Sequence, residues 1–151
     1  MKKIILISLI ATTLLWGTPM KELELGEYLT KFDMKERSNM KAKLIDALVM
    51  IEEGKAVLID IRSREEFASW SMGFAQNIPL NELPNRLNEL PKDKLIITAC
   101  PHNDRSNIAR IYLTTQGYNA KYLSEGLLKM ADFLRGDNAI EFQEELRKLK
   151  K

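Results

Sequence analysis

Cys100 is the only cysteine of the chain, and His102, two residues on, is the only histidine. They open the run Cys100-Pro101-His102-Asn103-Asp104-Arg105-Ser106, which separates an apolar stretch, Leu95 to Ala99, from a segment with helical spacing. A thiol at the point where a buried strand gives way to a helix meets main-chain amides that have no acceptor inside the helix. Curled around a tight loop, those amides and the helix dipole form a cradle for an anion. The cradle stabilises a thiolate, the nucleophilic form of cysteine, and equally the anionic terminal sulfur of a persulfide. Arg105 adds a positive charge at the far end of the loop, either toward a substrate or in a structural pair. His102 is placed to bind an anion or move a proton, or else is a solvated loop residue. An idle, buried cysteine is the alternative reading of position 100.

The elements needed to hold such a loop are legible around it. Leu44, Leu48 and Ile51 share one helical face, with Gly54 as the stop. Ala56 to Ile59 is a short, branched, continuous apolar run leading into Asp60-Ile61-Arg62, the pattern of a strand buried on both faces. Asp60 and Arg62 at its end are read as structural support for the site. Ser63-Arg64-Glu65-Glu66 matches a capping box and predicts a short helix to about Trp70. Asn77 to Leu80 is extended. Leu80, Leu83, Leu87 and Leu90 repeat at helical spacing and predict a helix stopped by Pro91. Leu95 to Ala99 is the next buried strand, and Cys100 to Arg105 a connection without helical pattern. A helix is then predicted from Ser106 to Gln116, with Ile108, Ile111, Tyr112 and Thr115 near one face. Ala120 to Leu123 is a strand and Leu127 to Leu134 a helix. Ala139, Phe142, Leu146 and Leu149 mark a final amphipathic helix. Strands alternating with helices through short connections give an α/β fold with a mainly parallel central sheet. In such sheets ligands bind beyond the carboxyl ends of the strands, where Cys100 lies.

The N-terminus is different in kind. Lys2 and Lys3 precede a short apolar run from Ile4 to Trp16, which reads as a signal peptide over residues 1–17. The run is shorter than the roughly 20 residues that span a bilayer, so an uncleaved anchor is the lesser alternative. The expected location is therefore exported, periplasmic in a bacterium or secreted. Residues 18–43 read as a helical or linker extension, with Leu25, Tyr28, Leu29 and Phe32 at helical spacing. The 151 residues suffice for one domain, assigned to 44–136, with a C-terminal helix over 137–151. The full chain carries 23 basic and 21 acidic residues. Loss of residues 1–17 removes two lysines and no acid, leaving a neutral mature chain without the basic excess that nucleic acid requires. A single cysteine excludes an internal disulfide. One Cys and one His are too few for the usual transition-metal sites, and no glycine-rich nucleotide loop is present, so no cofactor or metal is expected.

The pattern resembles the rhodanese family. That family's active loop begins with Cys, has four intervening residues, then commonly Arg-Ser, and enters a helix; Cys100, Arg105 and Ser106 match it. Asp60-Ile61-Arg62 with Glu65-Glu66-Phe67, Asn77-Ile78-Pro79-Leu80, and Gly117-Tyr118 followed by Leu123 and Gly126 are similar to further family segments, in the same order, over about residues 44–135. The resemblance implies a three-layer rhodanese-like domain, and a sulfurtransferase that forms a persulfide on Cys100 with Pro101, His102, Asn103, Asp104, Arg105 and Ser106 about the substrate. Sulfane sulfur would come from thiosulfate or a polysulfide and go to cyanide, a thiol or a protein acceptor. The chain departs from the family at Asn103, often Gly, and in the stretch Trp70 to Phe74. It also departs at Asp104, whose negative charge in the cradle opposes a dianion such as thiosulfate unless it faces outward to cap the helix. A non-enzymatic relay or binding module is one alternative. A phosphatase or arsenate reductase on the same fold is another, disfavoured because those enzymes have one more residue between Cys and Arg. The terminal helices would pack on their own domain, dock a protein partner or form a homodimer; their narrow apolar stripes favour the first.

Overall fold

The computed structural model describes residues 23–149; the expected signal peptide lies outside them. Five parallel strands form the sheet: β1 (Lys41–Ala42), β2 (Ala56–Asp60), β3 (Gln76–Asn77), β4 (Leu95–Ala99) and β5 (Ala120–Leu123), in the order β1-β5-β4-β2-β3. Every strand connection is a crossover, so both faces of the sheet are covered and the central strands are apolar throughout. In β2 and β4, pairing along their full length with Leu58 opposite Ile97, successive side chains enter two different cores. Ala56, Leu58, Leu95, Ile97 and Ala99 pack with Ala47, Leu48, Leu127, Met130 and Phe142. Those last residues come from α3 (Leu44–Glu52), α6 (Gly126–Phe133) and α7 (Asp137–Lys148). Ile59, Ile96 and Cys100 turn to the opposite face, against Leu83, Leu90, Ala109 and Leu113. Ala109 and Leu113 belong to α5 (Asp104–Thr115). Helix, sheet and helix thus make three layers.

Several local expectations are corrected. Within the helical or linker extension, residues 33–43 hold an exposed helix and a short strand. They form α2 (Met34–Asn39), capped by the Asp33 side chain, and the edge strand β1, which pairs with β5. The sheet therefore starts before residue 44. The preceding α1 (Leu25–Thr30) buries only Tyr28, whose ring and hydroxyl meet the buried Arg110 of α5; Arg110 also pairs with Glu36. This cluster fastens the extension to the domain. Between Leu80 and Leu90 there is no continuous helix but two 3-10 turns, Leu83–Asn85 and Leu87–Glu89. Pro84 accounts for this: it lacks an N–H and its ring would clash with the carbonyl of Leu80 in a continuous helix. Helix α5 starts at Asp104, two residues before the predicted start. Its buried face carries Ser106, Ala109, Arg110 and Leu113, while Ile108 is exposed. No helix among the described residues is long and apolar enough to cross a membrane.

Candidate active site

Strand parity fixes where the cysteine points. Ile96 faces α5, so Thr98 and Cys100, two and four residues on, face it as well. The Thr98 hydroxyl donates to the Ser106 carbonyl at 2.8 Å, tying the strand to the first turn of the helix. Cys100 Sγ lies 3.6 Å from Ser106 Oγ and 3.5 Å from Asp104 Oδ1. The first helical bond of α5 runs from Asn107 N–H to the Asn103 carbonyl, so the amides of Asp104, Arg105 and Ser106 precede the internal ladder. The sulfur is thus set against a helix N-terminus. It is itself fully covered, whereas Asp104, in contact with it, is exposed.

The loop is held from behind by α6. Leu127 N–H donates to the Cys100 carbonyl at 2.9 Å and Leu128 N–H to the Pro101 carbonyl at 3.3 Å. Because the peptide unit is planar and trans, the His102 N–H points the other way, away from α6. This close approach requires glycine at the start of α6. A Cβ on Gly126 would stand 2.3 Å from the His102 oxygen and 2.4 Å from the Pro101 oxygen, and its φ of +75° suits glycine besides. The Asn103 side-chain amide donates to the Ser124 carbonyl, fixing the loop to the end of β5. Gly126 carries part of the family resemblance in the sequence, but its backbone contact with the loop was not foreseen.

Arg105 is held in an ion pair. Its guanidinium forms two hydrogen bonds with the Glu66 carboxylate, at 2.7 and 2.9 Å. Glu66, read from sequence as a cap, fills that role as well: Ser63 and Glu66 make the complete capping box of α4 (Arg64–Ser69). The Arg105 guanidinium holds the Glu66 carboxyl down at about 2. Asp60 and Arg62 form a fully buried pair, with bonds of 2.6 to 3.0 Å. Arg62 also donates to the Trp70 carbonyl and lies over the Trp70 ring. Asn77 donates to the carbonyls of Asp60 and Arg62, pinning the strand end. These residues tie the end of β2 to Trp70 and to β3. His102 sits exposed on the rim, its side chain bonded to none of the described residues. The Arg105 backbone amide and the Cys100 thiol hold the Asp104 carboxyl below its ordinary value.

The model of the rhodanese-like domain matches residues 44–132. The chain belongs to the rhodanese-like domain family. Among its relatives, a sulfurtransferase of Allochromatium vinosum is 37% identical over 62 residues, covering 41% of this chain and 58% of that protein. A thiosulfate sulfurtransferase, GlpE, of Pseudomonas fluorescens is 29% identical over 76 residues, covering 50% of this chain and 70% of the relative. The crystal structure of reduced Bacillus anthracis CoADR-RHD superposes with a TM-score of 0.58 at 31% identity, over 62% of this chain and 17% of that one. The match is thus to a domain, and the chain spans little more than half the length of the Allochromatium relative. The matched residues include Cys100, its loop and both ion pairs, Asp60–Arg62 and Glu66–Arg105.

Proposed function

We propose that the chain is a sulfurtransferase that carries sulfane sulfur as a persulfide on Cys100. The observation that carries this reading is the seat of the only cysteine, at the carboxyl end of a central strand and against the first turn of α5. The sulfurtransferase names of the relatives support the class of reaction. In the first half-reaction the Cys100 thiolate attacks the outer sulfur of the donor. The donor's S–S bond breaks, its electron pair leaves with sulfite or a thiolate, and a new S–S bond forms on Cys100. In the second, cyanide or a thiolate attacks that outer sulfur and Cys100 leaves as the thiolate. The amides at the start of α5 stabilise the anionic sulfur in both halves. Pro101 to Ser106 form the wall, with Arg105 as a positioning residue rather than a substrate contact. His102 and Asn103 stand on the rim where donor and acceptor enter.

The basic and apolar first 17 residues support export. A protein thiol is the acceptor class that a small exposed rim would serve. The test is steady-state kinetics, with thiosulfate or polysulfide as donor, cyanide as acceptor and thiocyanate as the readout. Parallel double-reciprocal lines that vanish in Cys100→Ser are expected. Hydrolysis of p-nitrophenyl phosphate without any sulfur transfer would contradict the proposal.

A further inference from the structure

The charges around Cys100 are arranged unlike an anion trap. Arg105, the only Lys or Arg of the loop, is engaged by both oxygens of Glu66. Arg62 is likewise matched by Asp60. Both pairs are internally neutral. Asp104 remains: among the described residues no Lys or Arg forms an ion pair with it, and its Oδ1 stands 3.5 Å from the sulfur. Its carboxylate accepts the Arg105 backbone amide and stands beside the sulfur; the N-cap residue is Asn103, whose side chain bonds Ser124 instead. The thiol is covered, while Asp104, in polar contact with it, is exposed, so a donor approaching from that side meets a carboxylate.

Resting on the sulfurtransferase reading above, we infer that Asp104 is a specificity-determining residue: it sets the site against the thiosulfate dianion and in favour of small persulfides with a cationic group. A dianion would bring two negative charges beside a third, with Arg105 already engaged by Glu66. A persulfide bearing an ammonium group would instead pair with Asp104 as its outer sulfur approaches Cys100. The transfer balances: Cys100–S⁻ attacks the outer sulfur of R–S–SH, the S–S bond between its inner and outer sulfurs breaks, Cys100–S–SH forms and R–S⁻ departs.

The experiment compares kcat/KM for thiosulfate and for cysteamine persulfide, with cyanide as acceptor, in the full chain and in Asp104→Asn. The native chain should prefer cysteamine persulfide. Asp104→Asn should raise kcat/KM for thiosulfate about tenfold, the scale of one partly screened charge, and lower it for cysteamine persulfide. Added salt should raise thiosulfate turnover of the native chain and not that of the variant, a readout that a merely structural role would not move. An unchanged donor preference in Asp104→Asn, or a native preference for thiosulfate, overturns the inference while leaving the sulfurtransferase reading intact. Failure of Cys100 to take sulfur from either donor overturns both. Should Asp104→Asn not fold, the salt dependence of the native chain decides alone.

Discussion

Glu66 and Arg105, 39 residues apart in sequence, hold each other through two hydrogen bonds of 2.7 and 2.9 Å. The pair joins the first turn of α4 to the first turn of α5, so the helix that cradles the sulfur is latched to the helix that follows Asp60 and Arg62. Glu66→Gln should loosen that latch and weaken the capping box together. With 38% of the Glu66 side chain exposed, solvent screening limits the pair, and the loss should be about 1 kcal/mol in urea unfolding at neutral pH. Activity should fall more than stability suggests, because the loop loses its anchor.

The same pair gives a pH signature. Arg105 depresses the Glu66 carboxyl from its ordinary 4.5 to about 2. A depressed folded-state value means that the contribution is present above about 4.5 and is lost as pH falls toward about 2. Urea midpoints of the native chain and Glu66→Gln should therefore differ at pH 7 and converge between those two values.

Gly126 tests the loop's rear support. Gly126→Ala must place a methyl group within 2.4 Å of two loop carbonyl oxygens at a φ of +75°. Both the overlap and the left-handed backbone are unfavourable, and urea unfolding should show a loss of about 3 kcal/mol. Any folded fraction should have a displaced Cys100 loop and much reduced transfer.

Arg62→Met leaves Asp60 buried and uncompensated, and should cost about 3–5 kcal/mol. Adding Asp60→Asn to it should recover part of the loss, because no bare charge then remains. Thermal unfolding of the native, single and double variants checks this; a double variant worse than the sum of the two singles would contradict it.

Local signals made much of this legible from sequence. Ser63 and Glu66 are three residues apart, so the capping box could be read directly. The apolar runs of β2 and β4 are buried on both faces and announce themselves. Cys100 follows β4 without a break, so its place at a strand end was also readable. What escaped was set at long range or by a competing local rule. Lys41–Ala42 is too short to show a pattern and becomes a strand only because β5 offers an edge. Pro84 overrode the leucine spacing from Leu80 to Leu90. The buried face of α5 carries the polar Ser106 and Arg110 beside Ala109, so the spacing of its apolar residues does not reveal it. The role of Arg105 is not legible in sequence, since nothing near it identifies Glu66, 39 residues away, as its partner.

The central claim is that Cys100 accepts a sulfur atom. Intact-protein mass spectrometry after incubation with polysulfide, followed by peptide mapping, measures this directly. The expected result is a gain of one sulfur atom on the peptide containing Cys100, removed by cyanide and absent from Cys100→Ser. A folded protein whose mass does not change with polysulfide or with thiosulfate would contradict the account.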